Sequence, residues 1–190
     1  LRYTITIRIL RTFLMLGESM FRLIIPCLVL LLSACTTSRV ADDVELSPLK
    51  TVALMPLVNQ AQTPLAGERA EDILASIWQQ NKLPTLIRAP RVNTKELPPL
   101  DDQYRLDNAM QWLNTQQADY VLTGSIEEWR YKAGLDGEPV VALTLSLTVT
   151  GQTTPIWTGT IAKSGWGRDS IAATAQDVIA DLISYIEVSE

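Results

Sequence analysis

Leu143-Thr144-Leu145-Ser146-Leu147-Thr148-Val149-Thr150 sets an aliphatic side chain at every odd position and a hydroxyl at every even one. A period of two is that of a β-strand, whose side chains alternate between faces. The strand, read over Val140 to Thr150, therefore buries one side and leaves the other wet or against something polar, as antiparallel sheets do. Gly134-Leu135-Asp136-Gly137-Glu138-Pro139 precedes it and Gly151-Gln152-Thr153-Thr154 follows it. Both are turn chemistry, so the flanking runs Asp119 to Lys132 and Pro155 to Lys163 read as neighbouring strands.

Outward from this meander the period changes. Ile171, Ala175, Val178, Ile179, Leu182 and Ile186 recur at helical spacing, which predicts a closing helix from Asp169 to Glu187. On the N-terminal side Val52-Ala53-Leu54-Met55-Pro56-Leu57-Val58 fits a strand buried on both faces, with Pro56 near its end or on an open edge because proline has no N–H for a ladder. Thr63-Pro64 offers a helix cap and first-turn proline, Glu68, Glu71 and Asp72 suit the positive end of a dipole, and Ala66, Ala70, Ile73, Leu74 and Ile77 share a face. Pro84 to Ala89 reads as a brief strand and Asn93 to Leu100, with Pro98-Pro99, as a loop. Asp102 to Gln117 reads as a second helix, with Leu106, Ala109, Met110 and Leu113 facing inward. The order β-α-β-α-β-β-β-α predicts an α/β (α+β) fold, a single mixed sheet flanked by three helices.

The first 49 residues read as processing rather than fold. Met20-Phe21-Arg22, an apolar run from Leu23 to Leu32 and Ser33-Ala34-Cys35 are the three parts of a signal peptide, and the run is too short to anchor by spanning. Leu32-Ser33-Ala34-Cys35 resembles a lipobox, which implies acylation of Cys35; Cys27 follows Pro26 and lacks the small pair. Three acyl chains give stable anchoring where one does not. The expected division is an upstream extension over 1–19, a signal over 20–34, the lipidated cysteine and flexible tether over 35–49, and a periplasmic domain over 50–190. Thr36, rather than aspartate, after the cysteine points to the outer membrane.

Charge and composition narrow the chemistry. Beyond Cys35 the chain carries 12 basic and 20 acidic residues, a balance of −8. Nucleic acid is a poor partner for such a surface and a cation a good one. The chain has no histidine, and its two cysteines lie in or beside the export segment. Ser-His-Asp and Cys-His catalysis and the usual zinc sites are excluded, while carboxylate-only chemistry stays open. No metal and no cofactor are expected.

Val52 to Asn59 together with Ala118-Asp119-Tyr120-Val121-Leu122-Thr123-Gly124-Ser125-Ile126 resembles the paired signatures of CsgG-like and TolB-N-terminal-like periplasmic modules. Within that group, Gln62-Thr63-Pro64, Ala66 to Glu71, Glu127-Glu128-Trp129-Arg130-Tyr131-Lys132, Gly137-Glu138-Pro139 and Ser164-Gly165-Trp166 are similar to the PelC family, outer-membrane lipoproteins of Pel exopolysaccharide secretion. The resemblance spans most of residues 50–187. It implies a ring-shaped homo-oligomer whose acidic funnel guides a cationic polysaccharide to a separate β-barrel partner, without catalysis. A monomeric activator of peptidoglycan synthases on the same fold, and a carboxylate-dependent glycan hydrolase, are the alternative readings.

Particular side chains carry these readings. Glu127 and Glu128 are either solvated strand charge or face a polymer or subunit; as strand neighbours they should point to opposite faces and form no joint site. Asp136 and Glu138 lie on a turn tip, where charge is cheap and function is often placed. Trp129 and Trp166 are the candidates for a membrane or subunit interface, whereas Trp157 suits core packing. Gly165-Trp166-Gly167 lacks the lysine of a phosphate loop. Asp42-Asp43 and Asp101-Asp102 read as solvated loop charge.

Overall fold

A computed structural model describes residues 36–91, 102–134 and 137–189. Among them run β1 (Thr36–Val40), β2 (Val44–Leu46), β3 (Thr51–Leu54), β4 (Val58–Asn59), α1 (Ala66–Gln80), β5 (Thr85–Arg88), α2 (Asp102–Leu113), β6 (Tyr120–Tyr131), β7 (Pro139–Val149), β8 (Pro155–Ser164), α3 (Ile171–Ile183) and β9 (Ile186–Val188). One mixed sheet has the order β1-β8-β7-β6-β3-β5, and β2 and β9 form a separate parallel pair. In the run β6-β7-β8-β1 each strand is antiparallel to the next, whereas β3 is parallel to both β5 and β6. The chain is thus α+β, a mixed sheet with three described helices.

The alternating strand behaves as its period requires. Leu143, Leu145 and Leu147 are fully buried and meet Val178, Ile179 and Leu182 of α3, with Leu74 and Trp78 of α1 in the same core. Each such side chain removed from water contributes about 1.5–3 kcal/mol. The β3 run is buried on both sides: Val52 and Leu54 face this core, while Ala53 and Met55, pointing the other way, are also covered. Handedness explains the second cover. The chain steps from β3 outward to β5 through α1, then back past β3 to β6 through α2, and right-handed crossovers put those helices on opposite faces. Over β6, β7 and β8 that second face carries no described helix. There the hydroxyls of Thr144 and Thr160 lie 2.9 Å apart and those of Ser146 and Thr158 3.1 Å apart.

Several expectations are corrected. Residues 36–49 are not a flexible tether: Thr36–Val40 pairs with Lys163–Gly159 of β8, and Val44–Leu46 with β9. β1 is an edge strand on which Val40 alone packs against the core, so its polar composition hid it. The single 52–58 strand is two pieces, β3 beside Tyr120–Leu122 and β4 beside Ser125–Ile126, with Pro56 in the gap where no ladder donor is needed. Thr63 does not cap α1; Leu65, with φ 60°, precedes the helix and the Thr63 hydroxyl donates to the Trp129 carbonyl. α2 ends at Leu113 and buries only Ala109, leaving Met110 54 % exposed. The last helix stops at Ile183, and Ile186 reaches the core from β9 instead.

Candidate functional site

The register of β6 against β7 makes the site. Ile126 stands opposite Leu143, Glu128 opposite Ala142 and Trp129 opposite Val141, which leaves Glu127 as the extra residue of a β-bulge. Three steps along β6 match two along β7, so Ile126 and Trp129 both return to the core face. Glu127 and Glu128 consequently share the other face. The expectation that they point apart fails because alternation holds only where the ladder is regular.

Beside the bulge lies a cleft of about 420 Å³ lined by Gln60, Ala61, Gln62, Glu127, Glu128, Trp129 and Arg130. β4 brings in Gln60, whose N–H donates to the Ile126 carbonyl at 2.9 Å. Ser125 Oγ donates to Glu127 Oε1 at 2.6 Å, but Glu127 Oε2 is buried with no hydrogen-bond partner. A buried carboxylate oxygen without a donor is costly and suits a visiting cation or N–H group. Glu128 is partly neutralised by Arg130 at 3.0 Å, an exposed pair.

The other candidates fall elsewhere. Trp129 is no interface residue of the free chain: it is 2 % exposed, since the bulge turns its indole into the core. Trp157 is a core residue as well, at 1 %. Trp166 is 61 % exposed on a loop pinned by its own N–H to Asp169 Oδ2 at 2.7 Å. Gly165 gives that loop its close approach, because a Cβ there would lie 2.6 Å from Thr174 Oγ1 and 2.8 Å from Pro139 Cγ. Glu138 pairs with Lys132 at 2.9 Å. Asp136 and Cys35 lie outside the described residues; Thr36, next to Cys35 in the chain, pairs with Lys163 at the end of the sheet that leads into the Trp166 loop.

One charged cluster escaped the sequence reading. Arg105, from the first half of α2, meets Glu71 Oε1 at 2.5 Å, Asp102 Oδ1 at 3.0 Å and Glu68 Oε1 at 3.4 Å, with its side chain only 10 % exposed. Asp102 Oδ2 also accepts from the Asn59 N–H at 2.7 Å and Glu71 Oε1 from the Leu57 N–H at 2.9 Å. Asp102 is therefore not solvated loop charge, and Glu71 is not a dipole partner but a buried group. Burial pushes the Glu71 carboxyl above its ordinary value against the pull of Arg105 and the Leu57 N–H. The cluster braces α2 and the chain around β4, which carries Gln60 to Gln62 into the cleft. An arginine four residues before Ala109, on the inward side of α2, was the available signal.

Among the described residues no group of three or more His, Cys, Asp or Glu could hold a metal ion. No described helix is long and apolar enough to cross a membrane. No family model matches the chain, and no curated protein does. Among solved structures, the PelC dodecamer from Paraburkholderia phytofirmans is similar at 31 % identity with a TM-score of 0.68. A Leu-to-Met variant of that dodecamer, in another crystal form, is similar at 32 % identity with a TM-score of 0.69. Each comparison covers 82 % of this chain and 100 % of the solved one.

Proposed function

The chain belongs to the PelC family, and from that premise we propose that it is a non-enzymatic lipoprotein of the outer membrane that assembles into a ring and guides a cationic exopolysaccharide to a β-barrel export partner. The observation that carries this reading is the bulge cleft: two carboxylates on one face, one of them with a buried oxygen that no protein group satisfies. An ammonium about 4 Å from such a carboxylate gains roughly 4 kcal/mol in an effective dielectric near 20 and about 1 kcal/mol in bulk water. That range attracts an amino sugar without trapping it, and repetition around a ring focuses the field. Asp136 and Glu138 add charge at the β6–β7 tip, Glu138 less so because Lys132 pairs with it. Acylated Cys35 supplies the anchor, and Trp166 beside the start of β1 meets the bilayer interface.

The test is export in cells carrying Glu127→Gln and Glu128→Gln together. Secreted polymer should fall several-fold with the melting temperature unchanged. Secretion at the wild-type level would remove these two residues from the path. The shared face of the two carboxylates also favours a second reading, a hydrolase using one as acid and one as base or nucleophile. New reducing ends after incubation with a partly deacetylated glycan would support it, and their absence at long incubation would leave the guiding role.

A further inference from the structure

We propose that Arg130 is the release element of the bulge cleft, a resident cation that holds Glu128 while the polymer is away, yields it to an arriving ammonium and takes it back as that ammonium leaves; this rests on the guiding role of the cleft proposed above. Past the bulge β6 resumes its alternation, so Glu128 and Arg130, two residues apart, stand side by side on the face opposite the core. Arg130 Nη2 donates to Glu128 Oε1 at 3.0 Å, and both side chains line the cleft while staying 50 % and 40 % exposed. The sheet offers Arg130 no other carboxylate on that side. Its neighbour on β7 is Val140 and that of Glu128 is Ala142, and beyond them β8 sets Ser164 and Ala162. The next cation along the chain, Lys132, is paired with Glu138 at 2.9 Å.

The two carboxylates of the cleft are held differently. Glu127 Oε1 accepts from the neutral hydroxyl of Ser125 and its other oxygen is unpaired, whereas Glu128 is held by a full charge. Of the charged residues that line the cleft two are acids and one is a base, so with Arg130 seated a single negative charge is left over. An ammonium drawn to both carboxylates meets the guanidinium as a like charge and has to displace it. Displacement costs little, because an exposed ion pair is weak and a side chain already half in water can swing out on its stem. The incoming cation then gains only the difference between two exposed pairs. Arg130 stays tethered beside the site and competes at an effective concentration on the order of millimolar. Affinity changes at one site act mostly on dissociation, so this competition shortens the stay of each amine and lets the chain advance.

The test measures binding of a glucosamine hexamer, by calorimetry at low salt, to the full chain purified from membranes in mild detergent, alongside polymer secretion in cells. Arg130→Met should bind the hexamer about two- to fivefold more tightly than wild type, the gain expected when an exposed ion pair no longer has to be broken. Its cells should nevertheless secrete less polymer, since tighter sites slow the passing chain. Lys132→Met removes the same charge from the Glu138 pair and should leave the affinity for the hexamer unchanged, which separates displacement at Glu128 from a general change of field. Unchanged or weaker binding by Arg130→Met, an equal gain in Lys132→Met, or tighter binding with undiminished secretion overturns the role of Arg130 and leaves the carboxylates as the binding site. Equal binding of the hexamer by wild type and by Glu127→Gln/Glu128→Gln overturns the guiding role of the cleft, and that of Arg130 with it.

Discussion

Arg105 and Asp119 show how much depends on single ions in this chain. Replacing Arg105 with Met leaves Glu71 buried beside Glu68 and Asp102, with only the half-exposed Arg88 at 4.0 Å from its other oxygen. Loss of one partner from a buried pair costs about 3–5 kcal/mol, a large part of the 5–15 kcal/mol that holds a domain together. Urea unfolding of Arg105→Met should show a loss of that size, while Arg130→Met, at an exposed pair, should stay near wild type. Asp119 accepts from Lys50 Nζ at 2.8 Å and from the Thr51 N–H at 2.9 Å, tying the start of β3 to the start of β6. The hydrogen bond from Lys50, then that from Thr51, holds its carboxyl below the ordinary value. A depressed carboxyl stabilises the fold above the ordinary carboxylate range, and that contribution is lost as pH falls through the lowered value. The urea midpoint of wild type should therefore drop more between pH 6 and pH 3 than that of Asp119→Asn. Neither long-range pairing was legible beforehand, since Glu71 lies 34 residues from Arg105 and Lys50 lies 69 from Asp119.

At the scale of elements, periodicity carried most of the reading. β6, β7 and β8 begin and end within two residues of the runs read from alternation and turn residues, because a half-buried strand writes its pattern into every second position. Short strands escaped: β1 has little apolar surface of its own and exists because β8 pairs with it, and β9 hid behind helical spacing, since Ile186 stands four residues after Leu182. The bulge was equally hidden, as Glu-Glu in a strand looks regular until the partner strand counts one residue fewer. Deleting Glu127 tests its role. Glu128 would then stand alone between Ile126 and Trp129, alternation would become regular, and both core side chains would keep their face. We expect a folded domain with a melting temperature close to wild type and a loss of polymer export. Deleting Thr123 instead would turn Gly124 and every following residue as far as the bulge to the wrong face and should abolish folding in a solubility and circular-dichroism screen. Gly124→Ala should also destabilise strongly, because a Cβ there would strike the Thr144 carbonyl and lie 2.9 Å from Leu145 Cδ2.

For the whole molecule, composition and fold point the same way. Beyond Cys35 the chain is acidic and holds neither histidine nor cysteine, and two of its carboxylates share one face at the β6 bulge. Raising salt from 50 to 500 mM should weaken binding of a cationic oligosaccharide to wild type by screening and change that of Glu127→Gln/Glu128→Gln far less, as read by calorimetry. β1 adds a mechanical consequence. Fourteen unstructured residues between lipid and domain would let the domain roam some 20 Å from its attachment point. With Thr36 already zipped to Lys163, a chain acylated at Cys35 has a leash one residue long. Drag from a moving polymer would then load the β1–β8 ladder directly instead of swinging the body aside, so each copy would keep its heading like a stake driven to the hilt.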